Sequence, residues 1–153
     1  MLRNSCFNPS DDLTMEVLCL CAFFGFVGCL ELSVPSPTSF PALGLRRSDL
    51  FQLPGGHFIL LLRSSKTDQL HRGQFIQLSK INSSLCPSSA LNRYLSAKSS
   101  LLPSDPLFSD HSGTIISRHW FSSHLSSLLS RAVLPSQSYS PHSFWIGAAT
   151  SAA

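Results

Sequence analysis

Residues 58–79 read FILLLRSSKTDQLHRGQFIQLS. A run of branched and aromatic side chains, a polar stretch with Lys66, Asp68 and Gly73, and a second short apolar run QFIQLS predict two strands joined as an antiparallel hairpin. Just upstream, residues 49–53 predict a third short strand, and the turn residues Pro54, Gly55 and Gly56 separate it from the hairpin. The expected unit is a small antiparallel sheet carrying basic residues.

Helical patterns lie on both sides of this sheet. Ser10 followed by Asp11 and Asp12 is a capping side chain with two carboxylates in a first turn, and the pattern predicts a helix from 10 to about 32, ahead of Pro35. Leu13, Val17, Leu20, Phe24 and Val27 share one face of that helix, and Phe23 and Phe26 widen it, so nearly all of it should be buried. Downstream, Cys86-Pro87 opens SSALNRYLSAKSS, with Ala90, Leu91, Tyr94 and Leu95 at helical spacing, and Pro103 closes the region. Ser117 is placed to cap a further helix through RHWFSSHLSSLLSR, with Trp120, Phe121, His124, Leu125, Leu128 and Leu129 facing inward. Ser140 and Pro141 open a last helical pattern, which is still running at Ala153. The expected fold class is mainly α with a small antiparallel β-sheet, an α+β arrangement.

The 153 residues suffice for one domain with a core, and 43% of them are hydrophobic, which argues against a disordered chain. Only 12% are charged, against roughly 25% in ordinary soluble domains, so the polar covering is thin. The net charge of +3 is unevenly spread: residues 45–98 hold eight basic side chains against Asp49 and Asp68, a local excess of +6. Three of the five cysteines (19, 21 and 29) fall inside the apolar run VLCLCAFFGFVGCL, where thiols behave as small hydrophobes, and the six histidines offer no zinc-type pairing. No metal and no small-molecule cofactor are expected. That run, residues 17–30, is shorter than the roughly 20 residues a bilayer-spanning helix needs, and it is preceded by acidic residues, so a core helix is expected over a signal or anchor segment.

The order of FFGFVGCLEL (23–32), LLLRSSKTDQLHRGQFIQL (60–78), CPSSALNRYL (86–95), DPLF (105–108) and YSPHSFWIGAATSAA (139–153) resembles the catalytic domain of tyrosine recombinases, the phage-type integrases. It is most similar to the versions carried by mobile elements of vertebrate genomes. The resemblance covers residues 10–153 as a partial, C-terminally incomplete catalytic domain, with 1–9 as a short extension. It implies a DNA breaking-rejoining catalytic core, double-stranded DNA as partner, and assembly as an oligomer on that DNA. It also implies a phosphotyrosyl mechanism: a tyrosine attacks a backbone phosphate, two arginines neutralise its oxygens, and a hairpin lysine protonates the leaving oxygen. Oriented guanidinium donors suit a phosphorane that accumulates charge, and a poor alkoxide leaving group needs an acid.

Carried onto this sequence, the resemblance assigns the catalytic lysine to Lys66 in SSKTD and the histidine of the His-x-x-Arg motif to His142. The arginine of that motif is replaced by Trp145, whose indole carries no charge and a single N–H donor. The first catalytic arginine is replaced by Gly28, while Glu31 matches the acidic residue that follows it. The nucleophilic tyrosine belongs beyond residue 153. Tyr94 is instead expected to pack within its helix, and Tyr139 to lie in a loop. Arg63, His71 and Arg72 flank the hairpin turn and are the expected DNA-backbone contacts. The implied function is therefore a recombinase-like domain of nucleus or cell interior, catalytically dead and at most DNA-binding, without a membrane. The competing expectation is a small secreted or membrane-associated Ser-rich protein with an N-terminal hydrophobic segment.

Overall fold

The structure, a computed structural model, describes residues 8–25, 27, 29–40, 44–63 and 73–131. The first helix, α1 (Pro9–Gly25), is set by Asn8, whose Oδ1 accepts the Ser10 N–H at 2.9 Å while Pro9 takes the first helical position. The cap thus lies two residues before Ser10. The helix expected to reach residue 32 ends at Gly25, where the Val27 N–H closes back on the Ala22 carbonyl at 3.2 Å. A separate short helix, α2 (Cys29–Leu32), follows. The helix end lies against the sheet: a Cβ on Gly25 would stand 3.0 Å from Ile76 Cγ2. A bulkier residue there would force the two apart.

The apolar run of α1 is spent inside the molecule. Met15, Val17, Leu18, Cys19, Leu20, Cys21 and Ala22 are all buried, on every side of the helix rather than on one stripe. α1 packs against α3 (Pro87–Ala97), against β3 (Gln74–Leu78) and against α4 (Arg118–Arg131). Among the described residues no helix is long and apolar enough to cross a membrane.

The sheet has three antiparallel strands in the order β1 (Leu50–Leu53), β2 (His57–Leu62), β3. Its register pairs Leu50 with Leu60, Leu60 with Ile76, and Phe58 with Leu78. Those positions, with Leu62, form the inner face, on which Leu50, Phe58, Leu60, Leu62 and Leu78 are buried. The hairpin expected from the sequence is present, with β2 ending one residue early because Arg63 leaves the strand. Gly55 and Gly56 turn the chain between β1 and β2 at φ of +87° and +82°, a region that side chains with a Cβ rarely occupy. The Ser88 hydroxyl donates to the Gly56 carbonyl and ties this turn to α3.

Helix α3 starts with Pro87 behind the capping residue Cys86 and buries Ala90, Leu91 and Tyr94. Helix α4 is capped as expected, with Ser117 Oγ accepting the Trp120 N–H at 3.1 Å. Phe121 and Leu125 are buried, and Trp120, Leu128 and Leu129 pack against the same core. The segment before α4 is laced to the first half of the chain by backbone bonds: Leu107 N–H to Leu45, Val34 N–H to Ile116, and Arg118 N–H to Val34. A loop in sequence is thereby a structural strap. The helical pattern opening at Ser140 and Pro141 lies outside the described residues.

Candidate nucleic-acid interface

The final pair of the hairpin is Leu62 with Gln74, so the segment 64–72 joins two adjacent strand ends. That segment carries Lys66, His71 and Arg72, which lie outside the described residues. So do Gly28, His142, Tyr139 and Trp145. Of the residues singled out for phosphate chemistry, Arg63 is the one whose surroundings are described. Most of the expected catalytic set thus lies outside the described residues, whereas the basic end of the sheet lies within them.

That end is organised around a single buried carboxylate. Asp49 is 1% exposed; its Oδ1 accepts Arg63 Nε at 2.8 Å and its Oδ2 accepts the Arg46 backbone N–H at 2.9 Å. Arg47 Nη1 donates to the Leu50 carbonyl at 3.1 Å, and the Arg46 guanidinium lies 5.8 Å from the centre of the Phe40 ring. Three arginines thus gather at the start of β1 and the end of β2, with Asp49 among them and Asp105 beside Arg47, whose backbone N–H donates to the Asp105 carbonyl at 2.9 Å. A guanidinium has five N–H donors, and the bond to Asp49 takes one of those on Arg63, whose side chain remains 56% exposed.

The positive middle of the sequence is partly consumed by architecture. Arg93 reaches Glu16 with both terminal nitrogens, at 2.7 and 3.4 Å, and fastens α3 to α1. Lys98 Nζ donates to the Ser109 carbonyl, the Ser109 hydroxyl and the Asp110 carbonyl at 3.4, 3.1 and 2.9 Å. Desolvation lowers the Lys98 pKa, against the attraction of Asp110 and Asp11. Both cations fasten parts of the fold together, although the Arg93 side chain stays about as exposed as that of Arg63.

Several polar groups invisible to sequence patterning carry the connections. Asp11 is buried on α1, and its two oxygens take the His111 backbone N–H at 2.8 Å and His111 Nδ1 at 2.9 Å. Its partner is 100 residues away, so no local pattern signals it. Asp110 folds its own loop by accepting from Ser112 N, Ser112 Oγ and Thr114 N. Burial pushes its carboxyl up, but these bonds and the nearby His111 outweigh that and leave it below its usual range. Tyr94 is buried, as expected of a packing residue.

Cys86 caps α3 through sulfur, accepting the Ser89 N–H at 3.4 Å and the Ile81 N–H at 3.3 Å. Burial raises its pKa, yet hydrogen bonds from Ser89, Ile81 and Ser88 bring the net shift below the ordinary thiol value. Cys19 and Cys21 differ in kind: burial pushes each thiol up to about 12, with smaller contributions from Glu16 and Cys19 respectively. A thiol that is neither accessible nor ionised is inert. Iodoacetamide at pH 8 should therefore leave both unmodified in the folded protein and label both in guanidinium chloride, as read by peptide mass spectrometry. Native labelling of either would show that α1 is not packed as described.

Compared with known proteins, the chain matches no protein-family model and no curated protein sequence.

Proposed function

We propose that this chain is a catalytically incompetent relative of the tyrosine recombinase catalytic domain, located with DNA in the nucleus, whose remaining capacity is to bind double-stranded DNA. One observation carries the reading: SSKTD occupies the connection between β2 and β3 of a small antiparallel sheet backed by helices, the placement that the resemblance requires for Lys66. The arginine cluster around Asp49 stands at the same end of the sheet, where Arg63 leads into that connection. Backbone phosphates would meet Arg63, Lys66, His71 and Arg72 there.

Incompetence follows from two substitutions. Gly28 has no side chain, and Trp145 offers one neutral donor where a bidentate cation is needed. Loss of one oriented donor from a charged transition state costs about 3–4 kcal/mol, and two such losses in one network leave negligible rate.

The test is affinity for a labelled duplex as a function of salt. The slope of log K against log[salt] is roughly −0.9 per phosphate neutralised, so three or four cations predict a slope of about −3. Absence of binding at low salt, or binding indifferent to salt, would sink the proposal. A covalent protein–DNA adduct on a nicked duplex would sink the incompetence.

A further inference from the structure

We infer that the outer face of the sheet is a stacking platform for single-stranded nucleic acid, with Phe51 and Phe75 as the rings on which bases lie. The alternation of strands sends Phe58, Leu60 and Leu78 into the core and turns Phe51, Ile59, Leu61, Phe75 and Gln77 the other way. Registered pairs share a face, and Phe51 aligns with Ile59 and Gln77, while Phe75 aligns with Leu61. Both rings are exposed, Phe51 at 45% and Phe75 at 66%. They stand on the two outer strands and two rows apart. Strand spacing and rise place them about 12 Å from each other, a separation that a flexible strand bridges with alternate bases.

Charge selects the occupant. The outer positions of the three strands contain no carboxylate, and the nearest one in sequence, Asp49, is buried and neutralised by Arg63. Phe75 lies at the end of the sheet where Arg63, Arg46 and Arg47 gather, so exposed rings adjoin a basic margin. An unpaired polyanion with exposed ring faces satisfies both. Each stacked base contributes about 1–3 kcal/mol whatever its identity, while cations follow the backbone. A duplex buries the faces of its bases and leaves these two rings unused. The inference rests on the nucleic-acid reading of the basic end given above, and it changes which form of the polymer is held and by what.

The experiment uses the full chain and labelled dT12 and U12, with a duplex of matched length, by fluorescence anisotropy at low salt. The single strands are expected to bind at least tenfold more tightly than the duplex. Phe75→Leu and Phe51→Leu, which keep apolar bulk but lose the ring, should each weaken single-strand binding at least fivefold and leave duplex binding unchanged. Phe75→Trp should restore it. Single-strand binding that tolerates both leucine variants overturns the inference. Duplex binding without single-strand preference overturns it while leaving the proposed function standing, and failure of both ligands overturns both. A concentration-dependent dimer abolished by Phe75→Leu, or binding to anionic vesicles in place of oligonucleotides, assigns the face to another occupant and overturns it as well.

Discussion

Replacing Phe58 by alanine is expected to destabilise the fold by about 3–5 kcal/mol, whereas the same change at Phe75 should cost less than about 0.5 kcal/mol. Phe58 is 1% exposed on the central strand β2, flanked by Gln52 and Leu78 in the register, so its removal opens a cavity on the inner face of the sheet. Phe75 is 66% exposed and loses almost no buried area. Against a typical total of about 5–15 kcal/mol, the first change brings the protein close to its unfolding limit and the second leaves it untouched. Urea titration followed by circular dichroism gives both values. Equal costs would mean that the sheet is slipped by one residue, since such a slip exchanges its two faces.

Tyr94→Phe, which removes one oxygen and no bulk, is expected to cost about 2–3 kcal/mol. The phenol is fully buried, donates to the Leu107 carbonyl at 2.8 Å and accepts the Ser109 N–H at 3.1 Å. Phenylalanine would leave both backbone groups buried without a partner. A fall in Tm of roughly 5–10 °C corresponds to that loss in a chain of this length. Burial, opposed by the bonds to Ser109, raises the Tyr94 pKa. Protonated Tyr94 is thus favoured by the folded state, and its contribution is complete below the ordinary tyrosine value of about 10 and lost as pH rises through the folded value. The wild type should lose stability above about pH 10 more steeply than the variant. Parallel alkaline profiles would show that the hydroxyl is solvated.

The elements that could be read from the sequence are those whose signals are local. Gly55 and Gly56 mark a turn through their backbone freedom, Pro87 and Ser117 mark helix starts, and the apolar run FILLL marks β2, although only the structure separates its buried Phe58 and Leu60 from Ile59 and Leu61. The end of α1 was not legible, because an apolar run through Gly28 has no polar punctuation and Gly25 yields to a contact with β3 that only the tertiary structure supplies. Asn8 won the cap from Ser10 because several capping residues compete there and Pro9 fits the first position. Arg63 illustrates the limit on the candidate site. Its charge suggested DNA, and its first commitment is to Asp49, a buried partner 14 residues upstream that composition counts as mere neutralisation. Lys66, His71, Arg72, Gly28, His142 and Trp145 rest on motif resemblance.

The bond from the Thr14 hydroxyl to the Ser109 carbonyl and those from His111 to Asp11 span 95 and 100 residues. They impose a schedule on synthesis. A ribosome adding about 5–20 residues per second needs about 5–20 s to deliver the second partner after the first. Through that interval α1 can pack against β3 and α3 as they are made, but its buried Asp11 and the Thr14 hydroxyl wait for residues 109–111, so these bonds close the fold late.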